Sequence, residues 1–410
     1  MNNVELERAA IAPRRWIELF ASFATGGFSG SEARLSPTAT RIINNPFGNR
    51  PEGRADTKLI LVPGGRYMVG YSRNGLRVWD LGYMSSADCK LIASLGPAAS
   101  SHLGDVHATP DGMGLIIFLL RRCRSECNWS CYEIYPQSET PQLTQIAYLD
   151  FAQSRPRYRY IFSDNIIWYA VLPNEIIFRV WDYRLNASVS FTVEVDVAKV
   201  DYSMQVLATK TAIVILHQEG ILIWAIPPLS QPANFDFDNL ARLPPLIRLK
   251  FPDDLALQLP TWRTLSSWYF GSSQPLYFDM VHAGHLRLQR FKLIIKPDLS
   301  DATIHLINIL QLTARDSEGA ATPSTSNICE DILVSFWDTF DQCGIYTGSI
   351  LSHPTNTIPF VVSMVLPVDG CGHSHSLCPA SGRFVHLDWG DIDRIVVFDF
   401  LPLHGPDSGL

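Results

Sequence analysis

The sequence lacks any apolar run long enough to cross a bilayer as a helix. Runs such as Leu115 to Leu120 are far short of the roughly twenty residues such a span requires. The opening segment, MNNVELERAAIAPRRW, has no apolar centre of the kind a secretory signal needs. Cysteine is sparse: 8 in 410 residues is too thin for a disulfide scaffold. Charged residues are 18%, and 33 basic against 40 acidic residues give a net charge of −7. Without a basic excess there is no field to gather phosphate, which argues against nucleic acid as principal partner. The phosphate-binding loop, the dinucleotide glycine pattern and the nucleophile elbow are all missing. These absences set the expectation of a soluble intracellular protein, cytoplasmic or nuclear. It has reduced thiols, no membrane or nucleic-acid partner and no cofactor.

What remains is rich in strand formers. Hydrophobic residues are 47%, aromatics 11% with 10 Trp, and 27 Pro and 26 Gly are spread along the chain. That is the composition of many short strands joined by turns. One stretch states the pattern best, Leu61 to Asp80, LVPGGRYMVGYSRNGLRVWD. The apolar run Leu59 to Val62 stops at Pro63-Gly64-Gly65. A second run, Tyr67 to Tyr71, stops at Ser72-Arg73-Asn74-Gly75, where Asn-Gly is a hairpin signal. A third, Leu76 to Trp79, ends at Asp80. Strand, turn, strand, turn, strand is a β-meander, and Arg-Val-Trp-Asp closes it as in a WD-type propeller blade.

Degenerate copies follow. The Pro-Gly turn recurs at Pro110-Asp111-Gly112 and at Pro379 to Gly382. The Trp-Asp ending recurs at Trp181-Asp182 and, as Phe398-Asp399, near the end. Trp79 to Trp181 is 102 residues and Trp181 to Trp224 is 43, so the period is about fifty and irregular. The expected fold is therefore all-β, a β-propeller of about seven blades, with six or eight compatible with the spacing. Residues 1–56 read as a helix over 1–20 and a connecting segment, 57–402 as the propeller, and 403–410 as a tail. A strand within residues 39–45 would complete the last group. The segment Ala314 to Asn327, ARDSEGAATPSTSN, reads as a loop. The fifth group is expected to begin at Leu265 to Phe270. Trp337-Asp338 precedes a turn and is not expected to close a third strand.

Several clusters carry chemistry on paper. Cys371, His373, His375 and Cys378 hold zinc-type donors, but alternation places Cys378 on the opposite face from the other three. Cys123, Cys127 and Cys131 are spaced for a helix in a region that reads as strand and loop. Arg155, Arg157 and Arg159 would line one face of a strand, and the acidic total favours a solvated outer surface. His282 and His285 near Asp279 have no placed nucleophile. Asp80, Asp182 and Asp399 sit at strand ends, where such residues order turns. None is assigned: catalytic, cofactor-binding and metal residues are all expected to be none, and the chain is not read as an enzyme.

Three segments carry a family likeness: Leu6 to Trp16 (LERAAIAPRRW), Leu61 to Gly82 (LVPGGRYMVGYSRNGLRVWDLG) and Leu377 to Pro402 (LCPASGRFVHLDWGDIDRIVVFDFLP). Together they resemble the C-terminal region of the F-box/WD-like propeller proteins of mushroom-forming fungi. That resemblance implies a propeller that captures a protein target, and an F-box preceding the LERAA segment that binds Skp1 in a cullin-based ubiquitin ligase. Here Met1 stands five residues before Leu6, which leaves no room for the box, so Skp1 is expected as a partner only if one lies upstream. The alternatives are a ligase-independent scaffold and, from another class, a propeller hydrolase or lectin.

Overall fold

The computed structural model describes residues 12, 15–16, 18–19, 36–44, 46–47, 57–84, 87–96, 101–122, 126–152, 161–162, 166–171, 175–194, 205–209, 211–217, 220–230, 240–251, 261–264, 276–282, 287–311, 323–329, 332–338, 343–349, 361–365, 374–378, 380–388 and 394–401. Among them the chain forms seven sheets, each built on four antiparallel strands. This is the fold of a β-propeller. By internal contacts the chain divides into two compact units. One comprises Met1–Cys123, Tyr132–Gln145 and Thr313–Leu410, the other Arg124–Cys131 and Ile146–Leu312. No helix of the described residues is long and apolar enough to cross a membrane.

The first sheet takes its strands in chain order: Lys58–Leu61, Tyr67–Ser72, Gly75–Asp80 and Lys90–Leu95. Its third strand ends on the Trp-Asp pair as expected. Trp181-Asp182 in Glu175–Asp182, Trp224 in Gly220–Ala225 and Phe398-Asp399 in Arg394–Asp399 hold the same third-strand position. The seventh sheet is completed from the other end of the chain. Its own strands are His375–Cys378, Arg383–Leu387 and Arg394–Asp399, and Ala39–Asn44 pairs antiparallel to the last, Ala39 opposite Asp399. The core between this sheet and the first is one cluster, in which Met68, Val385, Ile395 and Val397 are fully buried.

In the second unit, the sheets of Ile161–Phe162, Ile166–Val171, Glu175–Asp182 and Ala187–Glu194, and of Gln205–Ala208, Ala212–His217, Gly220–Ala225 and Ile247–Lys250, share a core. Phe178, Phe191, Ile213 and Trp224 are at its centre. The segment joining Ala225 to Ile247 adds a strand of its own. Ala241–Leu243 lies parallel to Ala187–Glu194, Phe191 opposite Ala241, and gives that sheet a fifth member. Ser188 and Ser230 exchange backbone bonds of 2.7 and 3.1 Å, and Trp224 Nε1 donates to Leu243 O at 3.2 Å. The strap thus closes the outer edge of the neighbouring sheet.

Four expectations are corrected or located. Of the loop expected over 314–327, residues 323–327 belong to a strand, Pro323–Cys329, the first of the sixth sheet, and 314–322 lie outside the described residues. A strand at the end of a sheet has one free edge and needs no alternating apolar face, so its Ser and Thr hid it. The fifth sheet begins at Thr261–Thr264, while residues 265–270 lie outside the described residues. Of the helix read over 1–20, Ala12, Arg15, Trp16, Glu18 and Leu19 are described, and all are helical. Trp16 is fully buried, its ring 6.1 Å from Phe400. Trp337-Asp338 ends the second strand of its sheet, Ile332–Asp338.

Candidate functional site

The turn between the first two strands of the first sheet is built by glycine. Gly64 and Gly65 have φ of +86° and +70°, a region that L side chains rarely adopt. A Cβ on Gly65 would also lie 2.1 Å from Ser381 Oγ. Gly65 N donates to Val62 O at 2.8 Å and sets Arg66 beside Asp80. Arg66 grips that carboxylate with Nε at 3.0 and 3.1 Å and Nη2 at 2.8 Å. Asp80 in turn accepts from Gly82 N at 2.8 Å, which fixes the following loop. The Arg66 guanidinium stands 5.0 Å from the ring centroids of both Tyr67 and Tyr83. The Asp80 hydrogen bond raises the Arg66 pKa, so its charge is permanent.

The second sheet repeats the arrangement between Ser101–Ala108 and Leu115–Arg122. Asp111 Oδ1 accepts from Thr109 Oγ1 at 2.5 Å and from Met113 N at 2.9 Å. Those bonds hold its carboxyl below the usual range and make an Asx turn that presents Met113, 57% exposed. Tyr135, 39% exposed, follows the third strand of the same sheet, Glu126–Ile134, and reaches Asp111. Gln137, two residues on and exposed, faces Tyr67.

These loops are fixed from behind by the seventh sheet. Arg383 donates to Asp399 Oδ1 at 2.6 Å, to Gly65 O at 2.5 Å and to Gly82 O at 2.8 Å. Arg41 donates to Asp399 Oδ2 at 2.9 Å, to Leu81 O at 2.5 Å and to Ala87 O at 3.0 Å. One carboxylate thus anchors two arginines that hold four carbonyls of the first sheet's loops. The clamp fixes the loops of Arg66 and Tyr83, while the Asp111 turn of the second sheet presents Met113 and Tyr135. Met113 and Tyr135 are exposed and Arg66 and Tyr83 half-buried, and Tyr, Arg and Met held in place are what protein interfaces favour: large contact area at low entropy cost.

Burial pushes the Tyr67 phenol up to about 12, with Arg66 beside it pulling the other way. The folded protein keeps this proton when the unfolded chain, with an ordinary tyrosine pKa of about 10, has lost it. Tyr67 therefore stabilises the fold fully below pH 10, and its contribution is lost as pH rises from about 10 to 12. Urea-unfolding midpoints across that window should fall more steeply for the native sequence than for Tyr67→Phe. Equal slopes would remove Tyr67 as the cause.

The clusters marked out by sequence fare differently. His375 lies directly opposite His386 on the adjacent strand, and both rings stack on Phe384, at 6.1 and 5.7 Å. Cys378 is buried in the core facing the first sheet. Cys371 and His373 lie outside the described residues. Among the described residues no group of three His, Cys, Asp or Glu is arranged to hold a metal ion. Cys127 and Cys131 share one strand, Glu126–Ile134, and Cys131 is fully buried, its thiol pushed up by burial. Cys123, Arg155, Arg157, Arg159 and His285 lie outside the described residues, while Asp279 and His282 are in the strand Leu276–His282. Asp182 accepts from the amides of Arg184 and Leu185, both at 2.9 Å, and orders a turn. The recurring Pro-Gly turn was the signal for the surface. The residues just beyond each copy, Arg66 and Met113, were the ones sequence reading passed over.

No family model matches the chain, and no curated protein does. Among solved structures it is similar to the β-propeller domain of Cps50 (Swd1) from Myceliophteria thermophila, at 11% identity. That match covers 89% of this chain and 99% of the other, with a TM-score of 0.48. It is similar also to Sqt1 of Chaetomium thermophilum, solved bound to the N-terminus of ribosomal protein L10. There the identity is 13%, 83% of each chain is covered and the TM-score is 0.44. A third similar structure, prolyl oligopeptidase B from Galerina marginata, has 9% identity and a TM-score of 0.42. The match covers 98% of this chain and 55% of that one.

Proposed function

We propose that this chain is a non-catalytic protein-recognition module, and that Arg66, Tyr83, Met113 and Tyr135 form its target-binding face. The supporting observation is the pair of arginines on Asp399, which hold the first-sheet loops that carry Arg66 and Tyr83. The finer reading is that the module selects targets for an SCF-type ubiquitin ligase, as the family resemblance implies. Composition is in keeping with that role. The chain has 7 lysines against 26 arginines, and none after Lys296. A receptor held beside a ubiquitin-transferring enzyme is spared self-modification when it offers few amines.

Two measurements separate these claims. A photo-crosslinking residue at position 83 in the tagged protein, expressed in its native source, should trap a discrete partner. The variant Tyr135→Ala with Met113→Asp should weaken that partner's binding by roughly thirtyfold or more, since a central contact contributes about 2 kcal/mol. Undiminished binding by this stably folded variant rejects the face. Recovery of Skp1 with the protein tagged at its native locus supports the ligase role, and a stable target without Skp1 leaves the ligase-independent scaffold.

A further inference from the structure

The glycine turn of the first sheet and its copy in the second differ at one position that bears on the partner. Pro63-Gly64-Gly65-Arg66 and Pro110-Asp111-Gly112-Met113 align residue for residue. Their backbone frame is the same. Val62 N donates to Tyr67 O at 2.9 Å, and Thr109 N donates to Gly114 O at 3.0 Å. Gly65 and Gly112 both have φ of +70°. Met113 therefore holds the place that Arg66 holds in the first sheet.

In the first sheet that place carries a guanidinium. Arg66 stands 5.0 Å from the ring centroids of Tyr67 and Tyr83, and its Nε and Nη2 reach both oxygens of Asp80. The second sheet has the ring and the carboxylates without the cation. Tyr135 turns its hydroxyl toward Asp111 and Glu133. Glu139 follows in the same connection, and residues 109–114 and 133–143 contain no lysine, arginine or histidine. Met113 and Tyr135 stand exposed among these acids, at 57% and 39%. Such a patch complements a side chain that is flat, apolar on its faces and positively charged along its edge. Arginine has that form, and lysine does not.

We propose that the target presents a basic segment to this face, and that one of its arginines seats on Tyr135 and Met113 with its guanidinium toward Asp111 and Glu133. The contact repeats across an interface what Arg66 makes within the chain. The inference rests on the reading of this face as the target-binding one and names the chemistry of its partner.

The full-length protein, labelled with carbon-13 at its methionine methyls, is titrated with the peptide acetyl-Gly-Arg-Gly-amide. A second titration uses the same peptide with citrulline, which keeps the shape and loses the charge. Of the 7 methionines, Met113 should shift most, and the arginine peptide should bind at least about tenfold more tightly than its citrulline analogue. Asp111→Asn with Glu133→Gln should abolish that preference, since asparagine keeps the turn while the charges are gone. Equal affinity for the two peptides, or an unmoved Met113, overturns the proposal. The partner trapped at position 83 separates this inference from the reading beneath it. If Tyr135→Ala with Met113→Asp weakens that partner while the charge-removing pair does not, the face stands and the basic segment is rejected. If neither variant weakens it, both are rejected. A loss of tenfold or more with the charge-removing pair supports both.

Discussion

Replacement of Asp399 by Ala is expected to destabilise the protein by about 3–5 kcal/mol, the range for a buried ion pair that loses one partner. The side chains of Asp399 and Arg383 are 4% and 3% exposed, and that of Arg41 is 12% exposed. Burial works against the Arg383 charge, and Asp399 is the carboxylate that offsets it. Without it two guanidinium groups are left facing carbonyls alone. Four loop carbonyls of the first sheet, those of Gly65, Leu81, Gly82 and Ala87, lose their fixed donors at the same time. Urea unfolding of the variant measures the loss. The double variant Arg383→Met with Asp399→Leu should recover part of it, because an apolar pair leaves fewer unmatched charges. Arg383→Lys should not restore the native value, since a lysine has one nitrogen where the arginine uses two. A cost below about 1 kcal/mol for Asp399→Ala would mean the arginines find other partners.

The second large effect is expected at Trp224. It is fully buried in the core of the third and fourth sheets, and its indole holds the strap through Leu243 O. Trp224→Ala should cost about 3–5 kcal/mol, from lost contact and the cavity left behind. Trp224→Phe separates the two roles. It keeps most of the ring but frees the strap, so global stability should fall by less than half as much while amide exchange accelerates at Ala241–Leu243. Unchanged exchange there would show that pairing to Ala187–Glu194 holds the strap by itself.

The parts of this architecture that repeat were legible in the sequence. Leu61 to Asp80 gave the first sheet almost to the residue, because its turns are glycine turns with local causes. Ala39–Asn44 was recognisable as a missing fourth strand by counting. What depends on a distant neighbour was not legible. The Ala-Arg-Leu strand has three residues and no pattern, and its partner edge alone creates it. Pro323–Cys329 looks like a linker because a strand with a free edge can be polar throughout. The surface of Arg66, Tyr83, Met113 and Tyr135 comes from four separate loops. Each residue is ordinary where it stands, and only the sheet order brings them to one end. Asp399 was noticed as a strand-end residue, but its two arginines lie 358 and 16 positions away, and no local rule links them.

The closure of the seventh sheet sets a timetable for the newborn chain. Thr38 and Asp399 bond across 361 positions. At a synthesis rate of about 5–20 residues per second, the early strand waits on the order of 20–70 seconds for its partner to leave the ribosome. Throughout that interval Ala39–Asn44 lacks the strand it pairs with, Arg394–Asp399. The window ends only when the last strands arrive, so a ribosome stalled near the end of the message would leave nearly the whole protein made and its first strand still unpaired.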